Sequence, residues 1–289
     1  MPPKKTISVQ SSSAKWAIDF ENMLLEGTKY SGSREPFQRV ISASSLGREP
    51  YYLMLVYLHG KADDQDKFGA NTMGSIYQLG LDKLIENCDK ENRYISAQRL
   101  KMTLENGWEV SGETDIYDTL ENVIIDGKLL SGGGFESALK DEIDSDYNLQ
   151  LAVYRLIVKK NKESQGEIIE TPIGALHACN KAGSAIKNNI CSNFELTTYE
   201  PEEIHQMLLE KTNILEQHIQ NNTMPEEICD VFKFGKTDGI PNRCRYYCDY
   251  NKVCPAYTKN EHLNTKKSLE ALDVIQEKPS YFPNKNYDF

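Results

Sequence analysis

Apolar residues recur along the chain at two distinct spacings, and these divide it into predicted helices and strands. Helical spacing predicts helices over 42–58, 71–87, 146–160 and 201–221. Runs rich in β-branched and aromatic residues predict strands over 94–104, 108–117, 122–128, 167–179 and 193–198. The predicted order is helices, a three-strand meander, a helix, two strands and a helix. This order indicates an α/β domain.

Capping and turn residues mark the predicted boundaries. Ser42 begins a serine-rich stretch that favours a helix start, and Pro201 is acceptable in the first turn of the last helix. Asn106-Gly107 separates the first two predicted strands, and this dipeptide is the strongest short signal for a hairpin. Ser131-Gly-Gly-Gly134 predicts a flexible connector after the third strand, and it is not a phosphate-binding loop because no Gly-Lys-Ser/Thr follows.

The composition is typical of a globular protein with a sizeable core. The chain has 289 residues, of which 39% are hydrophobic and 26% charged. No apolar run approaches the roughly 20 residues of a membrane span, and the first residues lack the apolar stretch of a secretion signal. We therefore expect a cytoplasmic protein of a bacterial or phage-infected cell, with no membrane partner. Seven cysteines in such a chain favour thiols or metal ligands over a disulfide framework.

The net charge of −10 argues against a surface that is basic overall, as many nucleic-acid-binding domains have. The charge is unevenly distributed, however. Residues 231–259 contain six lysines or arginines and two aspartates, a local charge of +4. Acidic surface elsewhere would confine a bound polyanion to one channel.

Two carboxylates and a lysine end consecutive predicted strands. Asp115 closes the first of these strands, and Asp126 stands two residues before Lys128 in the next. Residues i and i+2 of a strand point to the same face, so Asp126 and Lys128 project together, and hairpin pairing brings Asp115 beside them. Carboxylates suit Mg²⁺ or Mn²⁺, and a lysine beside the metal can hold a water and neutralise phosphate charge. This chemistry is suited to cutting phosphodiester bonds.

The spacing of these residues resembles the PD-(D/E)XK nucleases. The pattern is G-x-x-D at 112–115, followed by two hydrophobic residues and D-x-K at 126–128. Downstream, Gln150-Leu-Ala-Val-Tyr154 resembles the Q-x-x-x-Y motif of the RecB-type branch, which includes CRISPR-adaptation nucleases and phage exonucleases. The resemblance implies a restriction-endonuclease-like core with a central mixed sheet flanked by helices, over roughly residues 40–260.

The same resemblance implies a role for each matching residue. Asp115, Asp126 and the Gly127 carbonyl would bind the metal, and Lys128 would orient the attacking water. Gln150 and Tyr154 lie four apart on one helix face and would face the DNA.

One position departs from the family pattern. The RecB-type branch has a histidine ligand on an early helix, and Gln78 stands there in this chain, four residues after Gly74. A glutamine oxygen can bind a hard cation but carries no charge. Asp82 and Glu86, one and two turns further on, are the residues that would substitute for it. The alternative is that Gln78 is an ordinary polar helix residue.

A second set of candidate ligands lies near the C-terminus. Cys244, Cys248 and Cys254 fall within eleven positions, and Cys254 is followed by proline. They resemble the C-x-x-C-x5-C set that holds a 4Fe-4S cluster in many RecB-type nucleases. The first gap is one residue longer here, and no cysteine occurs in the N-terminal region 42–52. Cys229 is then the fourth candidate. Four thiolates suit iron–sulfur or zinc, and a site without metal is the third alternative.

The remaining cysteines and one histidine have simpler interpretations. Cys88, Cys179 and Cys191 lack partners at ligand spacing and are predicted to be buried thiols. His177 stands on an apolar strand and is predicted to be a hydrogen-bonded core residue.

These observations predict four regions: a disordered head at 1–13, a nuclease core at 14–225, a cysteine-rich module at 226–259 and a peripheral tail at 260–289. We expect a metal-dependent exonuclease that acts on single-stranded DNA ends. Three rivals stay open: a DNA- or protein-binding relative that lost its chemistry, a partner-dependent subunit of a recombination or CRISPR-adaptation assembly, and an unrelated α/β protein with a zinc-binding tail.

Overall fold

The structure, a computed structural model, describes most of the central part of the chain. The residues described are 34–60, 68–183, 186, 189–196, 199–226, 229, 236–237, 240–241, 243–244, 248, 250 and 253–254. The predicted head at 1–13 and tail at 260–289 lie outside them, as does most of the basic segment 231–259.

Helices and strands are mixed along the described chain. The strands are β1 Val40–Ser42, β2 Tyr94–Thr103, β3 Glu109–Asp118, β4 Val123–Leu130, β5 Ile173–Asn180, β6 Cys191–Glu195, β7 Lys236–Thr237 and β8 Ile240–Pro241. The helices are α1 Pro50–His59, α2 Phe68–Cys88, α3 Gly132–Ala138, α4 Ser145–Ser164 and α5 Pro201–Asn221, and a 3₁₀ turn spans Ala43–Ser45.

Six strands form one mixed sheet in the order β1-β3-β4-β5-β6, and β2 pairs with β3. β2, β3 and β4 form the predicted antiparallel meander, whereas β1 runs parallel to β3 and β5 runs parallel to β4. β6 is antiparallel to β5 and lies at the end of the sheet order. The predicted α/β fold with a mixed central sheet is therefore confirmed.

Helices cover both faces of this sheet. The Asp126 side chain accepts a hydrogen bond from Gln150 of α4, whereas a β-carbon at the next residue, Gly127, would meet Tyr77 and Leu81 of α2. Because successive residues of a strand point to opposite faces, α2 and α4 lie on opposite sides of β4. Two helices thus enclose the middle of β4.

The long helix α4 is the centre of the core. Its buried residues include Leu149, Leu151, Ala152, Val153, Leu156 and Ile157. It packs against β2, β5, α5 and the 3₁₀ turn. Its N-terminus is capped by Asp144, whose carboxylate accepts from the Asp146 N–H. A helix buried along so much of its surface is a fixed support for the polar residues it carries.

Three sequence predictions about local structure are wrong. The strand predicted over 167–179 begins only at Ile173. The predicted helix over 42–58 begins only at Pro50, because Ser42 is paired with Ser111 of β3 and proline is favoured in a first turn. The predicted connector at 131–134 is the start of α3, in which the Ser131 hydroxyl accepts from the Gly134 N–H and Phe135 is buried.

The described part of the cysteine-rich segment is tied to the N-terminus of α1. Arg243 forms two bonds of 2.6 Å with the carboxylate of Glu49. The hydroxyl of the buried Tyr250 donates to the Gly60 carbonyl at 2.6 Å, and its ring packs edge-on to Tyr52. Polar and aromatic contacts therefore join this segment to the main core.

Candidate active site

The candidate site lies where β3 and β4 diverge. One edge of β3 pairs with β1 through residues 109–111 and with β4 through residues 116–118. Beyond this pairing, the backbone N–H of Gly127 donates to Oδ2 of Asp115 at 2.7 Å. The Asp115 carboxylate therefore accepts from a backbone N–H of β4 at the point where the two strands separate. This bond fixes the carboxylate against Gly127.

Asp126 is held on two sides. Its side chain is 1% exposed. Oδ2 lies 2.6 Å from Nζ of Lys128, and Oδ1 accepts from Nε2 of Gln150 at 3.2 Å. The contact with Lys128 is the i, i+2 juxtaposition that the D-x-K spacing predicts.

Gln150 and Tyr154 lie one turn apart on α4, as their spacing predicts. Nε2 of Gln150 donates to the Tyr154 hydroxyl at 2.8 Å as well as to Asp126. Tyr154 is only 3% exposed, and its ring packs against Gly112. Because its ring is buried, Tyr154 can act only by positioning Gln150. Gln150 is the residue of the pair that contacts Asp126.

Burial and mutual repulsion set the protonation of the carboxylates. Burial, together with the negative charge of Asp126, raises the pKa of Asp115 to about 6, while Lys128 and the Gly127 N–H oppose the rise. Burial opposes the charge on Lys128, but Asp126 and Asp115 outweigh it, and the pKa of the ammonium is raised above its usual value. Two acidic groups thus compete for one lysine.

This charge balance fits a divalent cation. Burial, and after it the charge of Asp126, disfavour ionisation of Asp115, and a cation held by these groups would offset both effects. The donor set is made of hard oxygens, which Mg²⁺ and Mn²⁺ prefer. Asp115, Asp126 and the Gly127 carbonyl are the groups that would hold it.

The helix α2 brings a residue to the site that sequence reasoning did not single out. A β-carbon at Gly127 would lie 3.1 Å from Cε1 of Tyr77 and 3.1 Å from Cδ1 of Leu81. Burial and the charge of Asp115 raise the pKa of Tyr77 to about 12, so the phenol stays neutral. The four-residue spacing of Tyr77 and Leu81 on a predicted helix is the signal that one helix face covers the strand.

A second tyrosine was also missed. The Lys128 ammonium lies 5.9 Å from the centre of the Tyr147 ring, in the first turn of α4. Tyr147 precedes Gln150 by three residues, so both belong to one helix face.

The predicted substitute for the family histidine lies at the site. Nε2 of Gln78 donates to Oδ1 of Asp82 at 3.1 Å and approaches the Asp115 carbonyl oxygen at 3.5 Å. The charge of Asp82 also raises the pKa of Asp115, less than burial and Asp126 do. Glu86 instead is exposed and pairs with Lys83. Of the two acidic candidates, Asp82 is the one near the carboxylates.

The four C-terminal cysteine candidates differ in burial but influence one another electrostatically. Cys244 and Cys254 are buried, and Cys229 and Cys248 are half-buried. Burial raises the pKa of Cys244 to about 12 and that of Cys229 still further, and charges on Cys248 and Cys254 add to both shifts. The structure therefore brings Cys229 close enough to Cys248 and Cys254 for their charges to act on it.

The expectation of isolated buried thiols fails for three cysteines. Cys179 and Cys191 are joined by a disulfide across β5 and β6, and Cys88 is exposed at the end of α2. His177 is hydrogen-bonded, as expected, but it is half-buried beside this disulfide and not in the core. The pairing was not foreseen because the register of β5 and β6, which sets Cys179 opposite Cys191, follows from no local pattern.

Comparisons with known proteins identify a family by sequence and a similar fold by structure. A sequence profile of the PD-(D/E)XK nuclease superfamily matches residues 65–255. The crystal structure of SSO0001 superposes with a TM-score of 0.51 at 16% identity, covering 82% of this chain and 96% of that one, which indicates a shared fold. An alkaline exonuclease from Laribacter hongkongensis superposes with a TM-score of 0.36 at 11% identity, covering 64% of this chain and 92% of that one. No curated protein sequence matches the chain.

Within the described part of the chain, no helix combines the length and hydrophobicity required to span a bilayer.

Proposed function

The chain belongs to the PD-(D/E)XK nuclease superfamily, and on this premise we propose that it is a metal-dependent nuclease that hydrolyses phosphodiester bonds in DNA. One observation carries the proposal. The buried Asp126 carboxylate lies between Lys128 and Gln150, while Asp115 is held against the adjacent Gly127.

The proposed cofactor is Mg²⁺ or Mn²⁺, held by Asp115, Asp126 and the Gly127 carbonyl. When bound, such a cation supplies Lewis-acid polarisation of the phosphate and lowers the pKa of water. Burial and the charge of Asp126 raise the pKa of Asp115, and this supports the site, because a cation would offset both effects.

Each neighbouring side chain has a task in this scheme. Lys128, whose raised pKa keeps it charged, holds the attacking water and offsets negative charge that develops on the phosphate. Gln150 orients the Asp126 carboxylate, and Tyr154 holds Gln150 in place. Tyr77 and Leu81 cover the other side of Gly127 and limit access of bulk water.

We further propose that the enzyme is an exonuclease acting on single-stranded ends. The Q-x-x-x-Y pair supports this choice by its resemblance to the RecB-type branch. The basic, aromatic composition of residues 231–259 also supports it, because such segments grip single strands by charge and stacking.

The decisive experiment is digestion of end-labelled single- and double-stranded DNA with Mg²⁺ or Mn²⁺. Asp126→Asn keeps the shape of the side chain but removes its charge, and we expect a loss on the order of 10³-fold. Glu136→Gln is the matched control, since Glu136 is half exposed on α3 and pairs only with Lys140 among the contacts described. Metal-dependent cleavage that survives Asp126→Asn would refute the assignment.

Gln78 supports a second candidate function. A neutral side chain stands at the histidine position of the resembled branch, so the chain is alternatively a catalytically weakened DNA-binding protein or a partner-dependent subunit of a recombination or CRISPR-adaptation assembly. DNA binding without cleavage by purified wild type, with cleavage restored by cell extract, would favour this alternative.

The C-terminal cysteines are proposed to hold a 4Fe-4S cluster through Cys229, Cys244, Cys248 and Cys254, with Zn²⁺ as the alternative. The shared electrostatic effects among the four support a common site. Anaerobic purification followed by visible absorption and metal analysis distinguishes the two metals, and colourless, metal-free protein would refute both.

A further inference from the structure

The face of the β5–β6 pair carries a second group of ligand-type side chains, next to the catalytic strand, since His177 is paired with Gly127 of β4. The register sets His177 opposite Asn193 and Cys179 opposite Cys191. His177 and Cys179 are two residues apart, so they share one face of β5. A ring nitrogen of His177 and the two sulfurs all lie within 4.8 Å of one another. This group is separate from the four C-terminal cysteines.

His177 is already oriented as a metal ligand is. Its Nδ1 lies 2.6 Å from Oδ1 of Asn193. An amide oxygen only accepts, so Nδ1 carries the proton and Nε2 keeps its lone pair. That second nitrogen points at the Cys179 sulfur, 3.5 Å away. Histidines that bind metals characteristically donate their other N–H to an oxygen in this way.

The two sulfurs become ligands once the disulfide is reduced. A dithiol transfers two electrons and two protons to the Cys179–Cys191 bond, which gives two thiols and an oxidised dithiol. A Zn²⁺ ion then displaces both thiol protons and binds two thiolates and one neutral imidazole. Tetrahedral Zn–S bonds of about 2.3 Å require sulfurs roughly 3.8 Å apart. Cys179 and Cys191 are directly paired with their Cα atoms 4.1 Å apart, so rotation of the two side chains can bring the sulfurs to that distance.

We propose that, in the reduced protein, His177, Cys179 and Cys191 form a zinc site with water as the fourth ligand, and that Asn193 positions the histidine. The zinc site and the disulfide cannot coexist, because the same two sulfurs form either the S–S bond or the two Zn–S bonds. The inference does not depend on nuclease activity.

The site also has a neighbour that connects it to the carboxylates. The Tyr77 ring stacks on the His177 ring with centroids 6.4 Å apart and planes 6° apart. Its hydroxyl lies 3.6 Å from the Cys179 sulfur, and its ring edge covers Gly127. Metal at His177 would therefore fix the residue that covers the catalytic strand.

The test is zinc stoichiometry of the full-length protein, stripped of metal, reduced and titrated anaerobically with Zn²⁺ alone. Wild type is expected to bind one more equivalent per chain than Cys191→Ser and His177→Gln. Cys88→Ser removes an exposed thiol elsewhere and should match wild type. Asn193→Ala should keep the stoichiometry but weaken this one equivalent by about 10- to 100-fold.

A parallel titration with Co²⁺ reports the ligands directly, because thiolate coordination gives a charge-transfer absorption. Wild type should show more of this absorption than Cys191→Ser at saturation, with the C-terminal cysteines contributing equally to both. Circular dichroism verifies that each variant is folded. If Cys191→Ser does not fold, the comparison is made with His177→Gln, which retains both sulfurs. Equal zinc stoichiometry in wild type and His177→Gln would overturn the proposal. Unchanged zinc affinity in Asn193→Ala would overturn the role of Asn193.

Discussion

Gly112 and Tyr154 belong to different sequence motifs, but the Tyr154 ring occupies the space that a side chain at position 112 would fill. A β-carbon at position 112 would lie 2.4 Å from Cε1 of the Tyr154 ring, closer than carbon atoms can approach. The glycine of G-x-x-D is therefore what lets the tyrosine of Q-x-x-x-Y reach the sheet. The tyrosine in turn hydrogen-bonds the glutamine that contacts Asp126.

Gly112→Ala should accordingly impair both stability and catalysis. The added methyl group displaces a buried ring, which costs about 1–3 kcal/mol of unfolding free energy, and it moves Gln150 away from Asp126. Urea unfolding and the DNA digestion assay measure the two effects.

Gly80→Ala is the control for that substitution, since a β-carbon there meets nothing within 4 Å on α2. A double-mutant cycle with Tyr154→Ala identifies the cause, because Gly112→Ala should cost little once the ring is gone. A Gly112→Ala protein as stable and active as wild type would contradict the proposed contact.

Asp115→Asn should stabilise the metal-free protein at high pH. The folded pKa of Asp115, about 6, lies above its unfolded value near 3.8. The folded state therefore binds the proton more tightly, and stability falls as pH rises from about 4 to about 6. Above pH 6 the neutral variant should be more stable than wild type by up to about 3 kcal/mol, and the gap should vanish near pH 4.

Urea unfolding with a chelator at several pH values measures this difference. Adding Mn²⁺ should narrow the gap by stabilising wild type alone. An Asp115→Asn protein that is less stable than wild type at every pH would contradict the expected repulsion.

Arg243→Met should detach the C-terminal cysteine segment from α1. The Arg243 side chain is 8% exposed and its partner Glu49 is 23% exposed. Breaking such a pair leaves a largely buried carboxylate without its cation, at a cost of about 3 kcal/mol. Limited proteolysis and thermal unfolding should both report the change.

Arg99→Met is the matched comparison, because Arg99 lies 3.7 Å from Glu113 on the surface with 52% of its side chain exposed. Exposed pairs contribute about 0–1 kcal/mol. Equal melting temperatures of the two variants would argue against anchoring by Arg243.

Gln78→His should strengthen metal binding. The Gln78 side chain already lies beside Asp82 and the Asp115 backbone, so an imidazole there would reach the carboxylates and add a stronger ligand. We expect the Mn²⁺ concentration for half-maximal activity to fall by about tenfold, equivalent to 1.4 kcal/mol, and to rise in Gln78→Ala. Gln206→His on α5, where Gln206 pairs with Glu210, should have no effect. Equal Mn²⁺ dependence of the histidine and alanine variants would show that position 78 does not contact the metal.

Local sequence patterns are sufficient to predict a helix or turn whose position is determined by its own residues. The last helix was predicted over 201–221 and is Pro201–Asn221, because a proline at its start and an apolar stripe are both visible in the sequence. The Asn106-Gly107 turn is likewise where the dipeptide indicates, and Gly107 has the positive φ that this turn needs.

Features that depend on distant strands were not predictable in the same way. β1 exists because Val40–Ser42 pairs with β3 almost seventy residues later. The Cys179–Cys191 disulfide and the position of Tyr77 over Gly127 also depend on strand register and helix packing. The D-x-K spacing, in contrast, brought Asp126 and Lys128 together because two residues of one strand need no tertiary information to share a face.

Arg155 follows Tyr154 directly on α4 and fixes the position of that helix. Its buried guanidinium donates to the carbonyl oxygens of Pro172 and Tyr199, at 2.6 and 2.8 Å. A rotation or slide of α4 large enough to move Gln150 would break both bonds and leave a buried charge unsatisfied. The α4 side of β4 is thus fixed, and any adjustment of the site to a bound substrate would have to come from α2 on the opposite side of the strand.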